Sequence, residues 1–475
     1  MRRIFVIISP LLFALIFLAP SSVFAANRSL SFGLSGDDVV TLQNALIAKG
    51  YLSPGKNTGY FGETTQNALQ KFQCAQKIAC SSATTGYGVY GPKTQGVLAG
   101  ASALSPLEFS GWIPYWRSAT GTQDVLPHLS QLTSVMPFGY TMKSDGTLVD
   151  TAHLTEEPWK SFLAEAKKNK VRVIPTVMWG NGDSIHRILS NTKTRIALED
   201  EIAKVVKENG FDGIDIDFEA KKHETIDYFS TFLKGLSQRL GKKWLYCTIE
   251  ARMPLEDRYI DEQVPPPDAM DYANDYKALN KYCDRVEIMA YDQGVISQRL
   301  NKARMAPYAP VADPAWVESL VVLAMKDIDK NKIIIGVPTY GYEYEITPIL
   351  GDGHKYKVLW PFNPKYATEI ASKLGIVPSR TSAGEMGFSY DPRLLTAVAP
   401  VNGQVAQMQY QVSTTTIIAE NADSSSNSQP FNYFSWSDAS AIADKVALAR
   451  KLGVRGVAVF KFDGGEDPGV WGVLK

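Results

Sequence analysis

The chain has 475 residues, more than one small domain needs and enough for a barrel-sized core plus an accessory module. Lys+Arg and Asp+Glu both total 49, so the formal net charge is zero and nothing in the electrostatics points to nucleic acid as a partner. Aromatic residues make up 11% of the chain; most must fill core, but flat side chains in that supply also suit stacking on the apolar faces of sugar rings.

Arg2 and Arg3 precede an apolar run from Ile4 to Pro20, and Val23-Phe24-Ala25 offers a cut after Ala25, so residues 1–25 read as an export signal. The competing reading is an uncleaved anchor, against which stand Pro10 and the shortness of the run. The mature chain is expected to be secreted, with no stable membrane span after cleavage. In that compartment Cys74 and Cys80, in a polar loop, are expected to pair. Cys247 and Cys283 lie in apolar stretches and are expected as buried free thiols. The five histidines have no ligand spacing with cysteine or with one another, so neither a metal nor a cofactor is expected.

Residues 26–100 form a first unit of three short helices. Asp37 to Lys49 carries apolar residues at Val39, Leu42, Ala45, Leu46 and Ile47; Glu63 to Phe72 repeats the theme, and Pro92 opens a third helix to about Leu98. Tyr60-Phe61-Gly62-x-x-Thr65 and Val89-Tyr90-Gly91-x-x-Thr94 echo each other before the second and third helices. With Leu42-Gln43 and Phe72-Gln73, these residues resemble the peptidoglycan-binding domain family, departing from it by an insertion around Cys74 to Gly86. The resemblance implies attachment to a cell wall; a helical domain without a ligand is the plainer reading.

A short Ala/Ser/Pro linker, 101–107, leads into the remainder, 108–475. Apolar strand-like runs recur there: Phe109 to Tyr115, Thr133 to Tyr140, Val171 to Met178, Gly213 to Phe218, Trp244 to Glu250, Arg285 to Tyr291, Lys332 to Thr339 and Val454 to Phe460. Helical patterns at Pro158 to Asn169, Thr194 to Asn209, Glu224 to Leu240, Pro314 to Lys330 and Asp438 to Leu452 fall between them. The alternation predicts an α/β fold, a (β/α)₈ TIM barrel. The long interval before the last strand predicts an α+β insertion over about 341–430, with a polar loop at Asn421 to Gln429.

The fourth strand carries the chemistry. Side chains alternate along a strand, so Asp215, Asp217 and Glu219 share one face and Ile214, Ile216 and Phe218 the other. In a barrel the acids face inward and rise towards the C-terminal mouth. Carboxyls roughly 6–7 Å apart in partial burial cannot all ionise cheaply, so at least one keeps its proton near neutral pH. A protonated carboxyl in a cleft can donate to a glycosidic oxygen. An exposed acidic strand would lack the apolar alternate face; a carboxylate metal site is the stronger rival.

Asp212-Gly213-Ile214-Asp215-Ile216-Asp217-Phe218-Glu219 resembles the DGxDxDxE signature of family 18 glycoside hydrolases, the chitinase-like barrels. Met289-Ala290-Tyr291-Asp292 resembles that family's second motif. Gly111-Trp112-Ile113-Pro114-Tyr115-Trp116, Gly336-Val337-Pro338 and Glu466-Asp467-Pro468 look like its bacterial branch of spore-cortex and cell-wall hydrolases. The resemblance implies a retaining, substrate-assisted reaction on an N-acetylated glycan. Glu219 would protonate the leaving oxygen while the substrate's acetamido oxygen attacks the anomeric carbon. Asp217 would orient that acetamido group, Asp215 would share a proton with Asp217, and Tyr291 would bond the acetamido carbonyl. Met289 and Asp292 would shape the same subsite. Two departures stand out: Phe460 takes the place of the family's usual tryptophan, and Pro175 to Gly180 lacks the serine-glycine-glycine pattern. Tyr115, Phe138, Trp112, Trp116 and Trp179 are candidates for the cleft or for core. The readings left open are hydrolysis of peptidoglycan at N-acetylglucosamine linkages, a chitinase, and a non-catalytic lectin on the same barrel.

Overall fold

A computed structural model describes residues 29–53, 55–98, 107–261, 263–349, 353–398, 409–412 and 429–475. The expected export signal, most of the linker and the polar loop from Asn421 therefore lie outside the described residues, as do parts of the lobe. The chain divides into two units, 1–104 and 105–475.

The first unit holds helices α1 (Asp37–Ala48), α2 (Glu63–Ala75) and α3 (Pro92–Leu98) around Leu30, Leu42, Leu46, Phe61, Leu69, Phe72 and Tyr90. The echoed motifs become two matching clasps. Gln43, fully buried, donates from Nε2 to the Tyr60 carbonyl and the Thr65 hydroxyl, and its Oε1 accepts from Gly59 N–H at 2.9 Å. Gln73 does the same one repeat later, donating to the Val89 carbonyl and Thr94 hydroxyl and accepting from Gly88 N–H at 2.8 Å. Both donating amides belong to glycines with φ near +75° (+76° and +74°), a left-handed turn that a side chain would strain. Cys74 and Cys80 are joined by a disulfide in the loop after α2.

In the second unit eight parallel strands close on themselves. They are β1 (Glu108–Pro114), β2 (Ser134–Met142), β3 (Thr176–Trp179), β4 (Gly213–Phe218), β5 (Trp244–Glu250), β6 (Arg285–Met289), β7 (Ile333–Pro338) and, past an inserted lobe, Gly456–Phe460. The last strand pairs with β1 and β1 with β2, which completes the barrel. The third strand is shorter than predicted because Arg172–Val173 and Thr176–Trp179 are separate stretches flanking Pro175, which has no N–H to give a ladder. Pairing of β2 with β3 slips at Gly139, so Phe138 and Tyr140 fall on opposite faces although they are two apart.

The outer layer follows from the apolar alternate positions. Phe218 stacks on Phe232 of the helix Ile226–Leu240 at 5.4 Å between centroids and lies 6.0 Å from Phe229. Burying an aromatic of that size stabilises the fold by about 2–3 kcal/mol. Cys247 and Cys283, expected as free thiols, are a disulfide with 6.1 Å between Cα atoms. Apolar surroundings alone pointed to free thiols; the register of β5 beside β6 sets Cys247 opposite Val286 and brings the two sulfurs together.

The inserted lobe pairs β8 (Gly341–Ile349) with β9 (Gly353–Phe362) on one side and with β10 (Phe431–Trp436) on the other, all antiparallel. Met386–Tyr390 extends this sheet, and the helix Pro364–Leu374 covers it through Ala367, Ile370 and Ala371.

Candidate active site

The acids of β4 rise through the barrel interior as the alternation predicts. Asp215 is fully buried and accepts three bonds: from Trp112 Nε1 at 3.2 Å, Thr176 Oγ1 at 2.8 Å and Thr248 Oγ1 at 2.8 Å. These donors come from β1, β3 and β5, the two neighbours of β4 and the strand that closes the barrel. They hold the carboxylate rigidly with N–H and O–H groups directed where a cation would have to stand. Burial pushes the Asp215 carboxyl up, against the pull of those bonds.

Asp217, one step higher, is 3% exposed, and its Oδ1 is buried with no hydrogen-bond partner among the described residues. Burial, then the charges of Glu219 and Asp215, drive its carboxyl well above the usual range, and Lys221 opposes them. Glu219 is half-buried at the mouth. Burial raises it, and so do Glu250 and Asp292, with Lys221 again pulling the other way. Burial and mutual repulsion thus favour keeping a proton among these carboxyls, and the ionisation of Asp217 and Glu219 belongs to the pair.

Tyr291 follows β6 and is buried, its ring stacked on Phe460 at 5.4 Å and 15° between planes. Phe460 in turn lies 5.9 Å from Trp112 and 6.4 Å from Phe138, edge to face. Phe138, Trp112, Phe460 and Tyr291 are thus brought together with Asp215. Tyr115 is half-buried against the same cluster, and Trp116, half exposed at 50%, packs edge-on to Tyr115 and Phe138. Met289 packs beside Tyr291. Asp292 is exposed at φ +60° and accepts from Tyr340 Oη at 2.5 Å and Tyr342 Oη at 2.9 Å. A non-glycine residue held there costs on the order of 1–2 kcal/mol, supported here by the two phenols. Trp179 is the cleft candidate that the structure removes. Thr176 and Met178 point inward, so Trp179 points out and packs edge-on to Phe218 in the helix layer.

Sequence reasoning missed several partners. Glu287, on β6, is fully buried near Asp215, and Thr248 Oγ1 lies 3.4 Å from its Oε2. Lys221 and Glu250 stand beside Glu219. The two-residue period could have flagged Glu287, since it shares a strand face with Met289. At the opposite end of the barrel, Glu108 meets Arg285 at 2.6 Å, Arg455 at 2.8 Å and Arg172 at 3.3 Å.

A model of the glycosyl hydrolases family 18 matches residues 111–465, more than half of the chain. The chain belongs to that family. A second family model, for a peptidoglycan binding domain, matches residues 35–98, so this family 18 chain carries an N-terminal peptidoglycan-binding domain. Among curated proteins it is 29% identical over 191 residues to the uncharacterized glycosylase YvbX of Bacillus subtilis (strain 168), covering 39% of this chain and 51% of that one. The chain spans about half or less of the length of the first curated relatives it matches. The barrel resembles the spore cortex-lytic enzyme SleL of Bacillus megaterium QM B1551 with a TM-score of 0.55 at 21% identity, over 78% of this chain and 73% of that chain. It also resembles a chitinase of Chromobacterium violaceum ATCC 12472, TM-score 0.56 at 17% identity, over 78% of this chain and 98% of that chain. These two likenesses are of fold. Among the described residues no helix is long and apolar enough to cross a membrane.

Proposed function

We propose that the chain is a secreted, wall-associated retaining glycoside hydrolase that cleaves N-acetylglucosamine linkages in peptidoglycan glycan strands. The observation that carries the reading is Asp217 Oδ1: a buried carboxylate oxygen left unpartnered, between a fully bonded Asp215 and a half-open Glu219. An acetamido N–H of the substrate is the donor such an oxygen lacks. With Asp217 orienting that group, its carbonyl oxygen attacks the anomeric carbon while Glu219 gives its proton to the departing glycosidic oxygen. The resulting oxazolinium ion carries positive charge beside Asp217, and Tyr291 Oη donates to the acetamido oxygen before attack. Water then opens the ring, its proton passing to Glu219, which restores the acid and retains the anomeric configuration.

Phe460 stacked on Tyr291 supplies the apolar floor for a sugar ring. The N-terminal peptidoglycan-binding domain supports peptidoglycan as the polymer, because it would hold the barrel at that surface. The test is digestion of purified peptidoglycan and of soluble chito-oligosaccharides by wild type and Glu219→Gln, with new reducing ends identified by mass spectrometry. The expected outcome is release of fragments ending in N-acetylglucosamine from peptidoglycan and a loss of about 10²–10⁴-fold in the variant. A wild type inactive on both substrates overturns the enzyme reading, and preference for chito-oligosaccharides replaces peptidoglycan with chitin. A de-N-acetylated substrate should be refused, since it lacks the attacking oxygen.

A further inference from the structure

The backbone around Glu219 is gripped from behind by two side chains that the reaction above does not use. Glu250, the last residue of β5, accepts from Ala220 N–H at 2.7 Å through Oε1. Its Oε2 accepts from Lys221 Nζ at 3.4 Å and from Asn274 Nδ2 at 3.1 Å. Lys221 Nζ also donates to the Phe218 carbonyl and lies 4.8 Å from the centre of the Phe229 ring. One carboxylate and one ammonium thus hold the residues on both sides of Glu219. Between those anchors Ala220 takes φ +52°, a conformation an alanine adopts only when its surroundings impose it. The Lys221 side chain is wholly buried, whereas that of Glu250 is 39% exposed. A buried ammonium in this position is costly as a strut alone, because an apolar side chain of the same length would fill the space without desolvation.

We propose that Glu250 and Lys221 are positioning residues for Glu219: their clasp aims its carboxyl into the cleft, and their opposite charges bias its proton in opposite senses. The proposal rests on Glu219 being the proton donor. Glu219 is faced by Asp217 below it on its own strand, Glu250 from β5, Tyr291 and Asp292 from the end of β6, and Lys221 from the turn that follows it. Lys221 is faced by three acids, Glu250, Asp217 and Glu219. Removing the Glu250 charge therefore leaves Lys221 to favour ionised Glu219, and removing the Lys221 charge leaves Glu250, Asp217 and Asp292 to favour the protonated form.

The test is the pH dependence of kcat/KM on a soluble chito-oligosaccharide or a peptidoglycan fragment for wild type, Glu250→Gln, Lys221→Met and Lys221→Arg. Glu250→Gln keeps an oxygen for Ala220 N–H, and Lys221→Met keeps the buried stem. The alkaline limb, where the acid loses its proton, should move to lower pH in Glu250→Gln and to higher pH in Lys221→Met, each by roughly half a unit or more. Lys221→Arg should hold the limb near its wild-type position. Limbs that stay put, or that move in the same direction in both charge-removing variants, overturn the clasp while leaving Glu219 as donor. Should Lys221→Met fail to fold, Glu250→Gln decides alone by the direction of its shift. Wild-type enzyme without turnover, or Glu219→Gln with unchanged turnover, overturns the function and the clasp together.

Discussion

The two ends of the barrel interior bury the same functional group and treat it in opposite ways. At the closed end Glu108 receives three guanidiniums, from Arg285, Arg455 and Arg172, and their bonds and charges hold its carboxyl down at about 2 despite burial. At the open end Asp215, Asp217 and Glu219 stand in a column with one buried lysine near the top, and burial drives all three up. A buried carboxylate ringed by arginines is locked in one charge state and serves as a tie between strands. A buried carboxyl without them can exchange its proton, which is what acid–base chemistry needs. The difference lies in the neighbours, since Asp and Glu have nearly the same intrinsic acidity.

The largest expected effect comes from removing the tie. Glu108→Ala leaves three guanidiniums facing one another without their partner and should cost about 3–5 kcal/mol in urea unfolding, with turnover per folded molecule unchanged. Asp217→Asn should do the reverse. Turnover should fall on the order of 10²-fold through loss of the charge facing the oxazolinium ion, while the melting temperature holds or rises because repulsion in the column is relieved. If Asp217→Asn destabilises as much as Glu108→Ala, the contrast between the two ends is wrong.

A smaller effect sharpens the same contrast through pH. Glu108 ionises at about 2 when folded and near the ordinary value of 4.5 when unfolded, so its contribution is complete above about 4.5 and is lost as pH falls towards 2. Glu466, whose Oε2 accepts from the backbone amides of Asp463, Gly464 and Gly465, is pushed up to about 8 by burial and then by Asp124. The folded form keeps that proton where the unfolded chain has lost it, so stability should fall as pH rises from about 4.5 to 8. Unfolding free energies across this range should flatten at the acid end in Glu108→Gln and at the alkaline end in Glu466→Gln. The smallest effect concerns the sugar floor: Phe460→Trp adds aromatic face and should lower KM by about three- to tenfold with little change in kcat.

Period-two alternation made the acidic strand legible, because a run in which Ile214, Ile216 and Phe218 separate Asp215, Asp217 and Glu219 has few ways to fold. The repeats at Gln43 and Gln73 were legible as an echo, although their role as clasps depends on contacts 15 to 22 positions apart. What escaped was whatever depends on register between strands. Cys247 and Cys283 meet only because β5 and β6 are neighbours with one particular offset. Trp179 could be assigned to neither face until Thr176 was seen bonded to Asp215. Glu108 and its arginines come from four separate strands or their edges, and Glu250 reaches Ala220 across 30 positions. Each is a long-range coincidence to which local pattern is blind.

The tyrosines that hold Asp292 make the inserted lobe more than an appendage. Tyr340 sits in the two-residue connection from β7 to the lobe, and Tyr342 is on the lobe's first strand. The lobe is therefore tied to the floor of the cleft: its entry and first strand are joined through two phenols to the residue after Tyr291. Shortening the lobe to widen the cleft for a bulkier polymer would disturb that linkage as well as the walls. Sequence change in the lobe and at Asp292 should then be inherited as a pair.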